Sequence, residues 1–325
     1  MIDISFPVTE LHNSVKSNTN AYLITICIPT YNRVVDLKTC LYPILLKYGN
    51  SDDVEIIVID NGSDDKTSDY LIANNIYSNT NFYTRECNAG FDINVLDCYY
   101  KANGKYVHFL GDDDILVTEA FDDLLEIIRN NMPDVIVSDY TIKTSKKIYN
   151  SIDKKSKTFD KVDCLLSYVG HHITFMSSIT LKKQPVTVQQ MLKYINFKFM
   201  HISLMLEILS GKSSTLFFSN KPIAVATDNN STTYDVADIF LIDLFRSMQL
   251  NVKKLDLKKL ESFFISIICH CIGSNASLSK LLFSNPILDK IGFRQLIKPI
   301  IAKLIIKRIL KNLSRKITFS TYNKI

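Results

Sequence analysis

Glycine and proline are scarce in this sequence, and tryptophan is missing. The 325 residues include 9 glycines and 8 prolines, while hydrophobic residues make up 46% and charged residues 22%. This composition excludes an intrinsically disordered chain and is typical of a packed globular protein. A chain of this length can bury the core of one large α/β domain, with or without an appendage.

The cysteines lack the spacing of a zinc site or of a redox pair. There are seven of them, an odd number, and they are scattered except for Cys269 and Cys271. Such a set is typical of reduced thiols in a cytoplasmic protein. For Cys269 and Cys271, packing in the core explains the short spacing better than a metal does.

Long apolar runs are also absent. No stretch reaches the roughly 18 to 20 apolar residues that a membrane-spanning helix needs. Residues 1–14 lack the basic segment and the apolar core of a signal peptide. We therefore expect a cytoplasmic protein.

The net charge of +5 is too small to indicate nucleic-acid binding, and we expect none. The excess of positive charge lies near the C-terminus, where residues 289–324 include ten basic residues and one acid, Asp289. Residues 299–317 place apolar side chains three and four positions apart, which predicts an amphipathic helix with a basic face. Such a helix either packs on the protein or lies on an anionic membrane, where each Lys or Arg adds on the order of 1 kcal/mol. We favour peripheral contact with the inner face of a membrane.

Strands alternate with helices along the first part of the chain. Apolar runs predict strands at residues 23–29, 54–59, 81–84, 106–110 and 134–139. Helical patterns are found at residues 34–49, from about Lys66, at 92–103 and at 119–131. Ser63 or Asp64 is expected to cap the helix near Lys66. This alternation indicates a mostly parallel sheet with right-handed crossovers, in which ligands bind beyond the carboxyl ends of the strands.

The second part of the chain begins with a polar segment at 142–161, which predicts a loop or an edge hairpin. Residues 174–182 read as a strand and 198–209 as a helix. One or two strands are expected within 214–227, and helices beyond Asp235.

Three polar turns each follow a predicted strand. They are Thr30–Arg33 (TYNR), Asp60–Asp65 (DNGSDD) and Gly111–Asp114 (GDDD). Because the carboxyl ends of parallel strands lie at one edge of a sheet, we expect the three turns to converge. Residues 88–91 (NAGF), with Asp92 and Asn94, add a glycine turn and polar groups near a helix start.

The three adjacent aspartates of the last turn repel one another, so they need either full solvation or a cation. Mg²⁺ or Mn²⁺ takes one or two carboxylates and completes its shell with phosphate oxygens and water, which matches a short acidic turn. The alternative is a solvated turn that caps the helix at Glu119.

Taken together, four segments resemble the family 2 glycosyltransferases of the GT-A fold, of the bacterial surface-polysaccharide type. The segments are Ile24–Arg33, Ile57–Ser63, Asn88–Gly90 and Phe109–Asp114, and both their order and their spacing agree over roughly the first 140 residues. The resemblance implies an α/β fold with a Rossmann-like, mostly parallel central sheet flanked by helices, followed by a helical C-terminal region.

The same resemblance implies a function. A family member transfers a sugar from a nucleotide-sugar donor, most commonly a UDP-sugar, to an acceptor hydroxyl with inversion, in polysaccharide or lipid-linked glycan synthesis. We expect an N-terminal arm (1–20), a nucleotide-sugar-binding half (21–140), an acceptor-binding half (141–235) and a helical region (236–325). The alternative is a non-catalytic nucleotide- or carbohydrate-binding protein on the same scaffold.

By resemblance, the nucleotide-binding residues lie in the turns that follow the strands and at the start of the next helix. They are Pro29, Thr30, Tyr31, Asn32, Arg33, Asp60, Asn61, Gly62, Asn88, Gly90, Asn94 and Asp112. Within this set, Thr30 and Tyr31 would line the base pocket, and Asp60 or Asn61 would contact the base.

The resemblance also implies a metal site for Mn²⁺ or Mg²⁺. Asp113 stands at the metal-binding aspartate of the family's D-x-D motif, with Asp114 assisting and Asp112 near the ribose and the donor sugar. The sequence departs from the motif at its first position, which is Gly111.

Inverting transfer requires a general base. The family commonly supplies one from a Glu-Asp pair at a helix start, and this sequence has no such pair there. At the corresponding place, residues 196–201 read NFKFMH, so His201 is one candidate base and Glu207 another. The alternative for His201 is a satisfied core histidine.

Two further polar segments are open to interpretation. His171 and His172 either bind the acceptor or phosphate, or belong to a loop before a strand. Residues 228–231 (DNNS) resemble a family loop near the active site but lack its basic residue.

Overall fold

The computed structural model describes residues 8–11, 22–143, 148–209, 214–226, 243–250, 260, 262–264, 266, 267 and 270. The chain divides into two compact units, Met1–Ile267 and Ile268–Ile325, and every strand and helix given below lies in the first. The predicted helix at 299–317, the loop at 228–231, and Cys269 and Cys271 lie outside the described residues.

The described strands are short and follow the apolar runs of the sequence. They are β1 (Thr9–Glu10), β2 (Ile24–Thr30), β3 (Val54–Asp60), β4 (Thr80–Thr84), β5 (Tyr106–Phe109), β6 (Ile115–Leu116), β7 (Val135–Ser138), β8 (Thr141–Lys143), β9 (Ile148–Asn150), β10 (Lys157–Phe159), β11 (Ile179–Lys182), β12 (Leu216–Ser219) and β13 (Ala224–Ala226).

Eight α-helices have defined bounds within the described residues. They are α1 (Val34–Tyr48), α2 (Thr67–Asn74), α3 (Phe91–Lys101), α4 (Thr118–Asn131), α5 (Val162–Val169), α6 (Val188–Met191), α7 (Met200–Ile208) and α8 (Leu244–Gln249). Short 3₁₀ helices occupy Gly170–Thr174, Met176–Ser178 and Leu192–Tyr194. No helix in this part of the chain is both long and apolar enough to cross a membrane.

Nine of the described strands form a large central sheet in the order β1-β4-β3-β2-β5-β11-β7-β12-β10. Strands β2, β3, β4 and β5 are parallel neighbours, and β7 and β12 run in the same direction. The prediction of a mostly parallel sheet flanked by helices is therefore confirmed. Strand β3 is buried along its whole length, as its nearly continuous β-branched run predicts.

Strand β11 enters this sheet from the second part of the chain. It runs antiparallel between β5 and β7, with Thr180 opposite both His108 and Ile136. The hydroxyl of Thr180 lies 2.9 Å from Nδ1 of His108. One strand from the second part thus joins two strands of the first.

Helices α1 and α4 cover one face of the sheet. Leu41 and Ile44 of α1 and Phe121 and Leu124 of α4 are fully or almost fully buried in one apolar cluster with β2 and β3. Each such side chain stabilises the fold by roughly 1.5–3 kcal/mol relative to an exposed one. This packing fixes the ends of the strands that carry the polar turns.

The second part of the chain departs from the sequence prediction in one segment. Residues 174–182 were predicted as one strand, but only Ile179–Lys182 is extended and 3₁₀ turns precede it. The Ser178 hydroxyl donates to the carbonyl of Phe175, a local bond that competes with strand pairing. Of the two alternatives predicted for 142–161, a loop or an edge hairpin, the structure favours the hairpin, since β8 and β9 pair antiparallel in a smaller sheet of order β6-β13-β8-β9.

The predicted cap of α2 was also wrong. Asp65, and neither Ser63 nor Asp64, accepts the backbone N–H of Thr67 (3.2 Å) and its hydroxyl (2.5 Å). The backbone N–H of Ser63 instead donates to Oδ1 of Asp60 over 3.1 Å.

Candidate active site

The three polar turns meet at the carboxyl ends of β2, β3 and β5. The Thr30 hydroxyl donates to Oδ2 of Asp112 over 2.8 Å, which joins the first turn to the acidic one. The backbone N–H of Asn32 donates to the Ser63 hydroxyl over 2.8 Å, which joins the first turn to the second. The predicted convergence is confirmed.

A cavity of about 710 Å³ opens at this edge of the sheet. Ten of the predicted site residues line it: Pro29, Thr30, Tyr31, Arg33, Asn61, Asn88, Gly90, Asn94, Asp112 and Asp113; His201 is an eleventh. The wall also includes residues that sequence reasoning did not assign to the site: Ala89, Phe91, Asp92, Ile93, Gly111, Thr174, Met176, Ile195, Asn196, Lys198 and Phe199. Both parts of the chain therefore contribute to one cavity.

Arg33 is the cation that faces the acidic turn. Its Nη1 lies 3.2 Å from Oδ1 of Asp112 and 2.6 Å from Oδ2 of Asp113. Burial by itself would lower the pKa of Arg33, but attraction to the two carboxylates outweighs it and raises this pKa. Burial raises the pKa of Asp112 to about 6, although Arg33 and the Thr30 hydroxyl both favour its charged form.

Asp114 points to a different partner. Its Oδ2 accepts the Ser177 hydroxyl over 2.5 Å, and Ser177 in turn accepts the backbone N–H of Gly111 over 2.8 Å. A Cβ on Gly111 would stand 2.8 Å from Oδ2 of Asp114 and 3.1 Å from Oδ1 of Asp113. The two carboxylates thus fill the space that an aspartate at this position would need.

The acidic turn fits a divalent cation through two of its three aspartates. Among the residues that the structure describes, no three His, Cys, Asp or Glu side chains are grouped to hold a metal by themselves. A cation bound to a diphosphate needs only one or two carboxylates, and Asp112 and Asp113 already converge on one nitrogen of Arg33. Asp114 accepts the Ser177 hydroxyl with Oδ2, and its role in metal binding stays a prediction.

Three predicted nucleotide-binding residues hold the turns and do not line the cavity. Asp60 accepts the hydroxyls of Ser68 (2.7 Å) and Thr84 (3.2 Å) and the N–H of Ser63 (3.1 Å). Gly62 has φ +77°, and a Cβ there would lie 2.8 Å from the Cys87 backbone. Asn32 has φ +52°, and its side chain accepts the N–H of Asp64.

Asn61, Asn88 and Asn94 line the cavity and also tie its wall together. The Asn61 amide donates to Oδ1 of Asn88 over 2.8 Å, and its own Oδ1 accepts the N–H of Ala89. Asn94 donates to the carbonyl of Ile59 over 3.0 Å and, at 3.4 Å, to that of Thr30. These amides fix the strand ends from which a ligand would be bound.

The two candidate bases are placed differently. His201 lines the cavity, is 2% exposed, and its ring faces the backbone of Thr174. Burial lowers its pKa to about 4, although the backbone of Thr174 opposes this shift. Glu207 is not part of the cavity wall, and its carboxylate accepts the Tyr194 hydroxyl over 2.9 Å.

His171 and His172 pack against each other beyond the cavity wall. Nδ1 of His172 lies 2.7 Å from the Ser151 hydroxyl and 3.0 Å from that of Tyr140, while Nδ1 of His171 lies 2.8 Å from that of Ser266. These contacts favour a structural role for the two histidines before strand β11 over the binding of an acceptor or of phosphate.

Comparison with known proteins supports the fold and gives a family match over part of the chain. Residues 25–181, which include all three polar turns, match the description "Glycosyl transferase family 2". These residues are a family 2 glycosyltransferase domain. The protein is therefore a glycosyltransferase, and the alternative of a non-catalytic binding protein is set aside.

Relatives and solved structures agree with this assignment. The glycosyltransferase is 25% identical over 229 residues to "Abequosyltransferase RfbV" of Salmonella typhimurium, covering 65% of this chain and 68% of the relative. It is 31% identical over 116 residues to "Uncharacterized glycosyltransferase MG025" of Mycoplasma genitalium, covering 34% and 38%.

Two solved structures share the GT-A fold. Residues 1–349 of S. aureus TarS in complex with UDP-GlcNAc align with a TM-score of 0.56 and 16% identity, over 86% of this chain and 80% of that one. The mannosyltransferase PcManGT from Pyrobaculum calidifontis, in complex with GDP-Man and Mn²⁺, aligns with a TM-score of 0.50 and 13% identity, over 93% and 84%.

Proposed function

We propose that this glycosyltransferase moves a sugar from a UDP-sugar to an acceptor hydroxyl of a polysaccharide or lipid-linked glycan, with inversion and with a divalent metal. The observation that carries the proposal is the cavity in which Arg33, Asp112 and Asp113 converge beside three strand ends. The name of RfbV, an abequosyltransferase, and the UDP-GlcNAc bound to TarS support the substrate class.

The nucleotide would bind along the first two turns. Tyr31 is 41% exposed in the cavity wall, so its ring offers an aromatic face on which a base can stack. Asn61 lines the same cavity, and its amide would hold the wall of the base pocket through its bonds to Asn88 and Ala89. Residues 21–140 would thus form the donor half and residues 141–235 the acceptor half.

The diphosphate would lie next to the acidic turn. Asp113, whose side chain is the more exposed of the two carboxylates that meet Arg33, would hold Mn²⁺ or Mg²⁺ with help from Asp112. A bound cation would neutralise the charge that grows on the leaving diphosphate. Arg33, already within reach of the same carboxylates, would add a second positive charge there.

His201 would act in this site as a neutral hydrogen-bonding group. With its pKa lowered to about 4, the imidazole is uncharged at neutral pH and takes a proton only weakly. Glu207 lies outside the cavity wall, and we do not assign it to the chemistry. The basic segment 299–317 would keep the enzyme at the cytoplasmic face of a membrane that carries a lipid-linked acceptor.

The proposal is tested by assaying purified protein against UDP-, GDP- and dTDP-sugars with Mn²⁺, with Mg²⁺ and with EDTA. We expect thermal stabilisation by UDP together with metal, and transfer that EDTA abolishes. Asp113→Asn should lose metal-dependent UDP binding and transfer while its melting curve stays cooperative. Metal-independent UDP binding in wild type, or full activity of Asp113→Asn, would refute the metal assignment.

A further inference from the structure

Asp92 is a buried acid in the cavity wall that neither the family motifs nor the proposed function uses. It is the second residue of α3, directly after the turn in which Gly90 adopts φ +91°. The residue is 5% exposed and lines the same cavity as Asp112 and His201.

The two carboxylate oxygens of Asp92 have different surroundings. Oδ2 accepts the backbone N–H of Lys198 over 3.0 Å. Oδ1 has no hydrogen-bond partner, although it is shielded from water. Buried acceptors in proteins are nearly always bonded, and the backbone N–H groups of Asn196, Phe197 and Met200 also face this carboxylate. None of them reaches Oδ1 with good hydrogen-bond geometry, so Oδ1 keeps the capacity to accept a proton.

The bonded oxygen holds the segment that brings the second half to the cavity. Asn196 and Lys198 have φ of +73° and +57°, a left-handed conformation that is unfavourable for residues other than glycine. The carboxylate of Asp92 stabilises this segment directly before α7, the helix that carries His201. Asp92 therefore stands where the donor half and the expected acceptor half meet.

The protonation behaviour of Asp92 suits proton transfer. Burial raises its pKa to about 6, while nearby backbone N–H groups between Asn196 and Met200 lower it in part. It is thus charged at neutral pH and more basic than an ordinary aspartate. A base is most effective when its pKa lies near the working pH, and the pKa of His201, about 4, is further away.

The other acids near the site are already engaged. Asp112 and Asp113 bind Arg33, Asp114 accepts the Ser177 hydroxyl, and Glu207 accepts the Tyr194 hydroxyl. A base from the start of α3 would take the role of the Glu-Asp pair that this sequence lacks at the start of α7.

We propose that Asp92 is the general base of the sugar transfer, with Oδ1 accepting the proton of the acceptor hydroxyl; this inference rests on the proposed function. As the O–H proton moves to Oδ1, the acceptor oxygen forms a bond to the anomeric carbon. The bond from that carbon to the phosphate oxygen breaks, and the nucleoside diphosphate leaves with the electron pair. Asp92 is left as a neutral carboxylic acid.

The decisive variant is Asp92→Asn, which keeps the size of the side chain and an oxygen to accept the Lys198 N–H but cannot take up a proton. We expect kcat to fall at least about 100-fold, the range for a lost general base, while the Kd for UDP measured by calorimetry changes less than about threefold. Asp69→Asn is the matched control, since Asp69 is an exposed acid in the first turn of α2. It should leave both quantities unchanged.

A second variant separates chemistry from structure. In Asp92→Ala, added formate can enter the vacated space and accept the proton, so we expect formate to restore transfer in this variant and not in Asp113→Asn. The inference is overturned if Asp92→Asn keeps kcat within about threefold of wild type, or if it loses UDP affinity in proportion to kcat, as a purely structural residue would. Absence of transfer in wild type would instead refute the proposed function itself.

Discussion

Replacing the buried charge of Asp112 should make the protein more stable at alkaline pH. Burial raises the pKa of this carboxyl from 3.8 to about 6, even with Arg33 and Thr30 beside it. The folded protein therefore binds this proton more tightly than the unfolded chain does. The free energy of unfolding therefore falls as the pH rises from about 4 to about 6, and it stays lower above that range.

The size of the effect follows from the same shift. At roughly 1.4 kcal/mol per pKa unit, the ionised form costs the fold up to about 3 kcal/mol at pH 8. Asp112→Asn resembles the protonated acid, because its carbonyl can accept from Arg33 while the Thr30 hydroxyl turns to accept from the amide. We expect a free energy of unfolding that is higher than wild type by about 1–3 kcal/mol at pH 8.

Urea denaturation at pH 8 and at pH 4 measures this difference. At pH 4 the two proteins should be almost equally stable, because the wild-type carboxyl is then protonated in the folded state. Asp69→Asn serves again as the exposed control and should change stability by no more than about 0.5 kcal/mol at either pH. A variant of Asp112 that is less stable than wild type at pH 8 would refute the assignment of a net electrostatic cost to this site.

Two further substitutions examine the walls of the cavity. Gly111→Asp restores the family's acidic position but forces a Cβ to 2.8 Å from Oδ2 of Asp114. We therefore expect urea denaturation to show a free energy of unfolding lower by about 1–3 kcal/mol. Unchanged stability would contradict the crowding. Tyr31→Ala removes an aromatic side chain that is 41% exposed. The affinity for UDP measured by calorimetry should fall about tenfold, while the melting temperature stays within a few degrees. An unchanged affinity would place the uracil base elsewhere.

Sequence patterns predicted the sheet well because the determinants are local. The run from Val54 to Ile59 contains apolar residues on both faces, and strand β3 is buried on both. The convergence of the turns after β2, β3 and β5 then follows from their parallel direction. The failed part of the predicted strand at 174–182 reflects hydroxyls, such as that of Ser178, whose local bonds no apolar pattern reveals.

Residue identity was a weaker guide to the chemistry of each side chain. Asp60 ends a strand and Asp112 follows one, yet Asp60 is bonded to Ser63, Ser68 and Thr84, which lie in a later turn, helix and strand. His201 resembles a base by its type, but full burial makes it a weak one. Asp92 was visible only as an acid after a glycine turn, because the segment that surrounds it lies about a hundred positions further along the chain.

The position of β11 limits how this enzyme could be recombined. Since β11 comes from the second part of the chain and lies between β5 and β7, a fragment cut near residue 140 would leave those two strands with bare edges. Such edges favour aggregation. A chimaera that exchanges the second part of the chain would therefore have to retain β11 or replace it with an equally matched strand. The proposed donor and acceptor halves are thus not independent modules for recombination.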